Sequence, residues 1–201
     1  MQTTTIDLLR HGECEGGQVY RGRLDFPLNA VGWQQLRDKT QNVGVWTQIV
    51  SSPLQRCALF AQEVAERCDK PVSIMDGFRE VDFGDWEGRL IADVWREQGS
   101  DARRFFADPV NAAPPNGEPM LMFEQRVLAA WQQLLQTLRG EHVLLVAHGG
   151  TIRVLLAHVL AMPLQRIASL DVPYASASRI RVHHSTDHPD FSTLVFHNSR
   201  F

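Results

Sequence analysis

The chain has 201 residues, 44% of them hydrophobic and 21% charged, with a formal net charge of −3. That length suffices for one substantial core, and a charge so near balance gives no general field for holding nucleic acid or an anionic membrane, so any anion must be bound by a local cluster. Three cysteines without framework spacing, a start that lacks a signal-peptide pattern, and a longest apolar run (Val154 to Met162) interrupted by His158 predict a reduced, cytoplasmic protein with no membrane or nucleic-acid partner.

Thr4 to Leu9 reads as a buried strand, and Leu8-Leu9-Arg10-His11-Gly12 at its end sets a guanidinium beside an imidazole. The cation favours the neutral ring, which is a nucleophile as well as a base. Alone, the pentapeptide is balanced between such a site and a solvated strand end. Asn29 suits the cap of a helix from Ala30 to about Asn42. Thr47 to Ser51 is a second strand. In Ser51-Ser52-Pro53-Leu54-Gln55-Arg56, Ser52 suits the N-cap, Pro53 the first helical position and Gln55 a capping box, and the helix that follows buries Leu54, Ala58, Ala61, Val64 and Ala65. Pro71 to Met75 is a short strand. Helical pieces near Ile91 to Gln98 and Ala102 to Ala107 precede a loop from Asp108 to Pro119, rich in Pro, Asn and Ala. A long amphipathic helix then carries Phe123, Val127, Trp131, Leu134 and Leu138. His142 to Ala147 is an apolar strand, His148-Gly149-Gly150 a turn and Thr151 to Ala161 a helix. Ser178 to His183 and Ser192 to Phe196 form a closing hairpin. This alternation implies helices on both faces of a mostly parallel sheet.

In such sheets ligands sit beyond the carboxyl ends of the strands, near helix amino termini that favour anions. Arg10 and His11, Arg56 in the first turn of the second helix, and His148 all fall there. Two arginines and two histidines at one edge suit phosphoryl transfer, with His11 attacking phosphorus and Arg10, Arg56 and His148 offsetting charge on the oxygens. A leaving alkoxide needs a proton. Its source lies in Arg79-Glu80-Val81-Asp82-Phe83-Gly84-Asp85-Trp86-Glu87-Gly88, where carboxylates alternate with aromatic groups that favour a protonated acid. Spacing does not choose among Glu80, Asp82 and Glu87.

Leu8-Leu9-Arg10-His11-Gly12-Glu13, Ser51-Ser52-Pro53-Leu54-Gln55-Arg56, the Arg79 to Gly88 block and Val146-Ala147-His148-Gly149-Gly150 together resemble the histidine phosphatase superfamily, which includes the cofactor-dependent phosphoglycerate mutases. The resemblance implies a three-layer α/β/α sandwich as a single domain over residues 1–201, with a small helical cap inserted around 89–120. It also implies His11 as the phosphorylated nucleophile, Glu80 as the proton donor, Arg10, Arg56 and His148 in the phosphate pocket, and no metal or other cofactor. Glu13-Cys14-Glu15-Gly16-Gly17 and Arg21-Gly22-Arg23-Leu24-Asp25-Phe26-Pro27-Leu28 look like α-ribazole-phosphate phosphatases of cobalamin biosynthesis, making a small phosphorylated metabolite the expected partner. Two departures stand out: Gly17 occupies a position where many members carry asparagine, and Pro119 replaces a serine after Gly117-Glu118. Mutases are longer and carry a more basic insertion after the acid.

Gly17, Arg21 and Arg23, with Asp25, are candidate substrate contacts, and Trp86, Trp95 and Phe105 are candidate apolar ones. Four other readings remain in view. They are a broad sugar or metabolite phosphatase, a mutase-like enzyme, a phosphate-binding regulatory protein, and a cysteine phosphatase, for which the Cys14 to Arg21 spacing is one residue too long. His183, His184, Asp187 and His188 resemble a metal cluster in composition but read as a hairpin loop.

Overall fold

The structure, a computed structural model, describes residues 2–41 and 44–201. Among them, six strands form one sheet in the order β3-β2-β4-β1-β5-β6: β1 (Gln2–Arg10), β2 (Gln48–Ser51), β3 (Val72–Ile74), β4 (His142–Ala147), β5 (Ala177–His184) and β6 (Phe191–Ser199). The first four are parallel, and β5 and β6 add antiparallel at one side. Parallel neighbours need crossovers. The helices are α1 (Ala30–Lys39), α2 (Gln55–Cys68), α3 (Ile91–Glu97), α4 (Gly99–Ala107), α5 (Met120–Thr137) and α6 (Gly149–Val159).

Successive side chains of a strand leave opposite faces, and β4 uses both. Val143, Leu145 and Ala147 enter a core with Phe123, Val127 and Trp131 of α5 and Ile152 and Leu155 of α6. Leu144 and Val146 enter a second core with Leu36 of α1 and Phe60, Ala61 and Val64 of α2. Helices thus cover both faces in three layers, α/β/α, and a strand buried on both sides reads as an unbroken apolar run. Truncating a fully buried side chain such as Phe123 to alanine costs roughly 3–5 kcal/mol.

Where element ends differ from expectation, the cause is local. Asn29 caps α1, its Oδ1 accepting from the Gly32 N–H at 2.8 Å, and the helix ends at Lys39; Asn42, its predicted end, lies outside the described residues. α2 begins at Gln55, and the predicted capping box does not form. Ser52 Oγ lies 2.7 Å from His148 Nε2, while the Gln55 N–H donates to Asp25 Oδ1 at 2.7 Å. α6 begins two residues early because His148, in extended backbone, is its N-cap. The segment around 89–120 folds as α3, α4 and the predicted loop. Among the described residues no helix is long and apolar enough to cross a membrane. The register sets Arg10 beside Ala147 and Ser51 beside Val146, so His11, Ser52 and His148 leave the sheet at one edge.

Candidate active site

His11 is 4% exposed. Its backbone continues β1, the N–H donating to Ala147 O at 3.0 Å, and its Nδ1 lies 2.8 Å from Gly12 O. A carbonyl only accepts, so Nδ1 carries the proton and Nε2 keeps its lone pair. The fully buried His148 ring meets the His11 ring edge-on, 5.3 Å between centroids. Burial, then the charges of Arg56 and Arg10, hold His11 well below the ordinary 6.5; burial, Arg56 and His11 do the same to His148. Both rings are therefore neutral near pH 7.

The guanidinium groups are held by neutral partners. Arg10 Nη1 donates to Val172 O at 2.5 Å, and its head lies 4.3 Å from the centre of the Tyr174 ring. The fully buried Arg56 donates to Leu24 O at 2.8 Å and Gly22 O at 2.7 Å. Arg21 donates to Glu15 O at 2.7 Å, to Gly17 O, and to the Tyr174 hydroxyl at 3.3 Å. The Nε–H groups of all three arginines are buried without a partner among the described residues.

The three carboxylates that spacing left open have separate partners. Glu80, 7% exposed, accepts from the Gly150 N–H at 2.9 Å and from its neighbour Val81 N–H at 3.1 Å. A β-carbon on Gly150 would lie 2.4 Å from Glu80 Oε1, so the close approach requires glycine. Asp82 closes a turn through the Gly84 N–H at 2.8 Å. Glu87 accepts from the N–H groups of Arg23, Leu24 and Phe83 at 2.8, 2.9 and 3.0 Å. Of these three, Glu80 lines the cavity that His11 also lines.

That cavity has a volume of about 380 Å³, and its lining includes the aromatic rings of Tyr20, Phe83, Phe105 and Phe106 and the polar groups Arg10, Arg21 and Arg153. Of the predicted site residues, Arg10, His11, Arg21 and Glu80 line it, whereas Arg56, His148, Gly17 and Arg23 lie outside its lining. Gly17, at φ +69°, has no side chain to extend, and Arg23 faces Asp82 at 3.4 Å and Glu118 at 4.0 Å. Asp25 is taken up as the cap of α2. Phe105 lines the cavity, whereas Trp86 is fully buried in the core and Trp95 stacks on Phe106, 5.8 Å between centroids. Pro119 supplies no side-chain cap to α5. Cys14 Sγ lies 3.6 Å from His11 Nδ1 and Cys57 Sγ 3.7 Å from His148; burial pushes both thiols up, away from the thiolate that a cysteine phosphatase needs. His183 and His184 bond Thr3 and Thr4 at 3.1 and 2.7 Å, and among the described residues no group of three or more His, Cys, Asp or Glu is placed to hold a metal.

Sequence reasoning missed Arg126 and Tyr174. Arg126 pairs with Glu118 at 2.8 Å and donates to Gly77 O and Arg79 O, both at 3.1 Å, steadying the loop that bears Glu80. An arginine three residues beyond Phe123, against the apolar stripe of α5, was its signal. Tyr174, between Pro173 and Ala175, carries none.

A site that pools cationic charge around an imidazole kept neutral suits a histidine-based phosphotransfer enzyme built on an α/β/α sandwich. Comparison with known proteins gives that class a family. The chain belongs to the histidine phosphatase superfamily (branch 1), whose family model matches residues 6–193, and it is a phosphatase of that group. It is 30% identical to the adenosylcobalamin/alpha-ribazole phosphatase of Escherichia coli K12, covering 96% of this chain and 95% of that protein. It is 32% identical to the probable phosphoglycerate mutase GpmB of Citrobacter koseri, over 87% of this chain and 83% of that one. Its structure resembles that of a mycobacterial glucosyl-3-phosphoglycerate phosphatase solved with inorganic phosphate, with a TM-score of 0.83 and 26% identity over 98% of this chain and 97% of that one.

Proposed function

We propose that the chain hydrolyses a phosphomonoester through a phosphohistidine on His11, and that its substrate is α-ribazole 5′-phosphate, an assignment that would place it in cobalamin biosynthesis. The observation that carries the reaction is the His11 ring, whose Nδ1–H is committed to Gly12 O and whose Nε2 is therefore the nucleophile. Its lone pair attacks phosphorus in line with the ester oxygen. The P–N bond forms as the P–O bond breaks, and the proton on Glu80 passes to the departing alkoxide. Glu80, now a carboxylate, takes a proton from water as the water oxygen attacks phosphorus; the P–N electron pair returns to Nε2 and inorganic phosphate leaves. Arg10, Arg21, Arg56 and His148 offset charge on the non-bridging oxygens.

The substrate reading rests on the wall of Tyr20, Phe83, Phe105 and Phe106, which suits a planar apolar base, and on the likeness to the Escherichia coli alpha-ribazole phosphatase over nearly its whole length. A small ester without an aromatic group, such as 3-phosphoglycerate with its carboxylate and phosphate, leaves that wall unmatched. Residues around 89–120 act as the cap that selects the organic part, through Ile91, Phe105, Phe106 and Pro109. Likeness to GpmB supports a second reading as a mutase.

The test compares kcat/KM for α-ribazole 5′-phosphate, 3-phosphoglycerate and sugar phosphates, and assays acid-labile phosphate on the wild type and on His11→Ala. Preference for the first substrate and a label lost with His11 are expected. Interconversion of phosphoglycerates as the best activity would favour the mutase. Turnover by His11→Ala, or loss confined to Cys14→Ser or to chelation, would sink the phosphohistidine.

A further inference from the structure

We propose that Tyr174 is a positioning residue that fixes two guanidinium groups of the pocket at once, Arg10 through the face of its ring and Arg21 through its hydroxyl. The proposal rests on reading this pocket as a phosphate site. The Arg10 head lies 4.3 Å from the ring centre, Arg21 Nη1 lies 3.3 Å from the hydroxyl, and the Tyr174 ring is 5.7 Å from the His11 ring. Tyr174 lines the same cavity as all three.

The chemistry of these partners matters. A carboxylate would hold an arginine just as firmly, but it would compete with phosphate for the same N–H groups and cancel the charge that attracts it. Carbonyl oxygens and an aromatic ring orient the cation and leave its charge available. Arg10 and Arg21 are held in this second way, and Tyr174 is the side chain they share.

Tyr174 is itself held where a backbone departs from comfort. It occupies the second position of a turn in which the Ser176 N–H donates to Pro173 O at 3.0 Å. The third position is Ala175 at φ +52°, a left-handed conformation that a β-carbon disfavours and that persists where surrounding structure enforces it. The enforcing contacts all run to the nucleophile's strand: the Ala175 N–H donates to His11 O at 3.2 Å, the Arg10 N–H to Ser176 O at 3.0 Å, and Arg10 Nη1 to Val172 O. The turn is thus docked on Arg10 and His11 through its backbone, and it presents Tyr174 to the two cations.

The experiment is a double-mutant cycle read by calorimetric binding of inorganic phosphate, with kcat, KM and unfolding midpoint measured on the same samples. Tyr174→Phe keeps the ring and removes the hydroxyl bond to Arg21, whose other bonds run to Glu15 O and Gly17 O, so phosphate binding weakens roughly 3- to 10-fold. Tyr174→Leu also removes the ring from beside Arg10, which keeps its bond to Val172 O, and weakens binding by roughly 10- to 100-fold. The loss appears in KM and phosphate affinity with the unfolding midpoint of Tyr174→Phe unchanged, which a merely structural role would not produce. In an Arg21→Met background, Tyr174→Phe has almost no further effect, because the group it acts through is gone. Additive losses in that cycle, or phosphate binding indifferent to Tyr174→Phe, would overturn the proposal; Tyr174→Phe decides the matter by itself if the leucine variant disturbs the turn. Binding needs no turnover, so a failed cycle is distinguishable from a failed phosphohistidine. A wild type that binds no phosphate would remove the pocket reading and this inference together.

Discussion

Replacing Glu80 by glutamine isolates the proton steps of the proposed reaction. Glutamine keeps the length and shape of the side chain, but it sets one oxygen and one NH₂ where two oxygens now accept from the Gly150 N–H at 2.9 Å and the Val81 N–H at 3.1 Å. Whichever way the amide turns, one backbone N–H loses its acceptor, at a stability cost of about 1–3 kcal/mol. The larger effect is kinetic. A positioned general acid is worth roughly 10²–10⁴-fold, or about 3–5 kcal/mol of barrier, and an alkyl ester such as a sugar phosphate should lose that factor in kcat/KM. With p-nitrophenyl phosphate the leaving anion needs no proton, so phosphorylation of His11 should survive and the defect should move to hydrolysis of the phosphohistidine, for which Glu80 is the base. Stopped-flow absorbance should then show a burst of nitrophenolate matching the enzyme concentration, followed by slow turnover. Enzyme quenched in alkali should carry phosphate on His11. Equal losses on both esters without a burst, or an alkyl-ester rate close to wild type, would refute the assignment of Glu80.

Asp7, fully buried, accepts from Arg179 at 2.6 and 2.9 Å, from Trp46 at 2.8 Å and from His142 at 2.9 Å. Asp7→Asn should lower the urea-derived stability by about 3 kcal/mol, because Arg179 loses its counter-charge; a change within about 0.5 kcal/mol would show that the network contributes nothing. Acid should destabilise the fold in two stages. Below the ordinary 6.5, the unfolded chain takes up protons on His11 and His148 that the fold refuses, since burial and arginine charge hold both rings well below that value, so stability falls as pH falls. Burial raises the Asp7 carboxyl, but bonds from Arg179, His142 and Trp46 outweigh it and hold it below 3.8; its contribution, complete above that value, disappears as pH falls through the lowered one. Unfolding midpoints across pH, with His148→Asn flattening the upper stage, check both signs. Gly17→Asn should be tolerated to within about 1 kcal/mol, because nothing lies within 4 Å of its added β-carbon and asparagine accepts the left-handed φ of +69° better than most residues; phosphate binding weakened by this change would show that the bare backbone at Gly17 matters.

Elements governed by their own residues were legible in the chain. His142 to Ala147 is an apolar run because β4 is buried on both faces, and Asn29 caps α1 with its own oxygen. The ends of β1 and β4 lead directly into Arg10, His11 and His148, so these candidates are findable from periodicity and turns. What local order cannot disclose is which partner a polar group takes. Ser52 has the placement of a helix cap, yet its hydroxyl is 2.7 Å from His148 Nε2 and only 3.3 Å from the Leu54 N–H, and the cap passes to Asp25. Glu80 and Glu87 look alike in one acidic stretch, but Glu80 meets the N–H of Gly150 while Glu87 meets those of Arg23 and Leu24. A parallel sheet makes this unavoidable, since residues that share its edge come from strands separated by whole crossovers. The two glutamates then serve one site by different routes. The segment whose N–H groups Glu87 grips offers the carbonyls of Gly22 and Leu24 to Arg56, so loss of Glu87 should reach the phosphate pocket as a displaced arginine, whereas loss of Glu80 should leave phosphate binding largely intact and remove the proton.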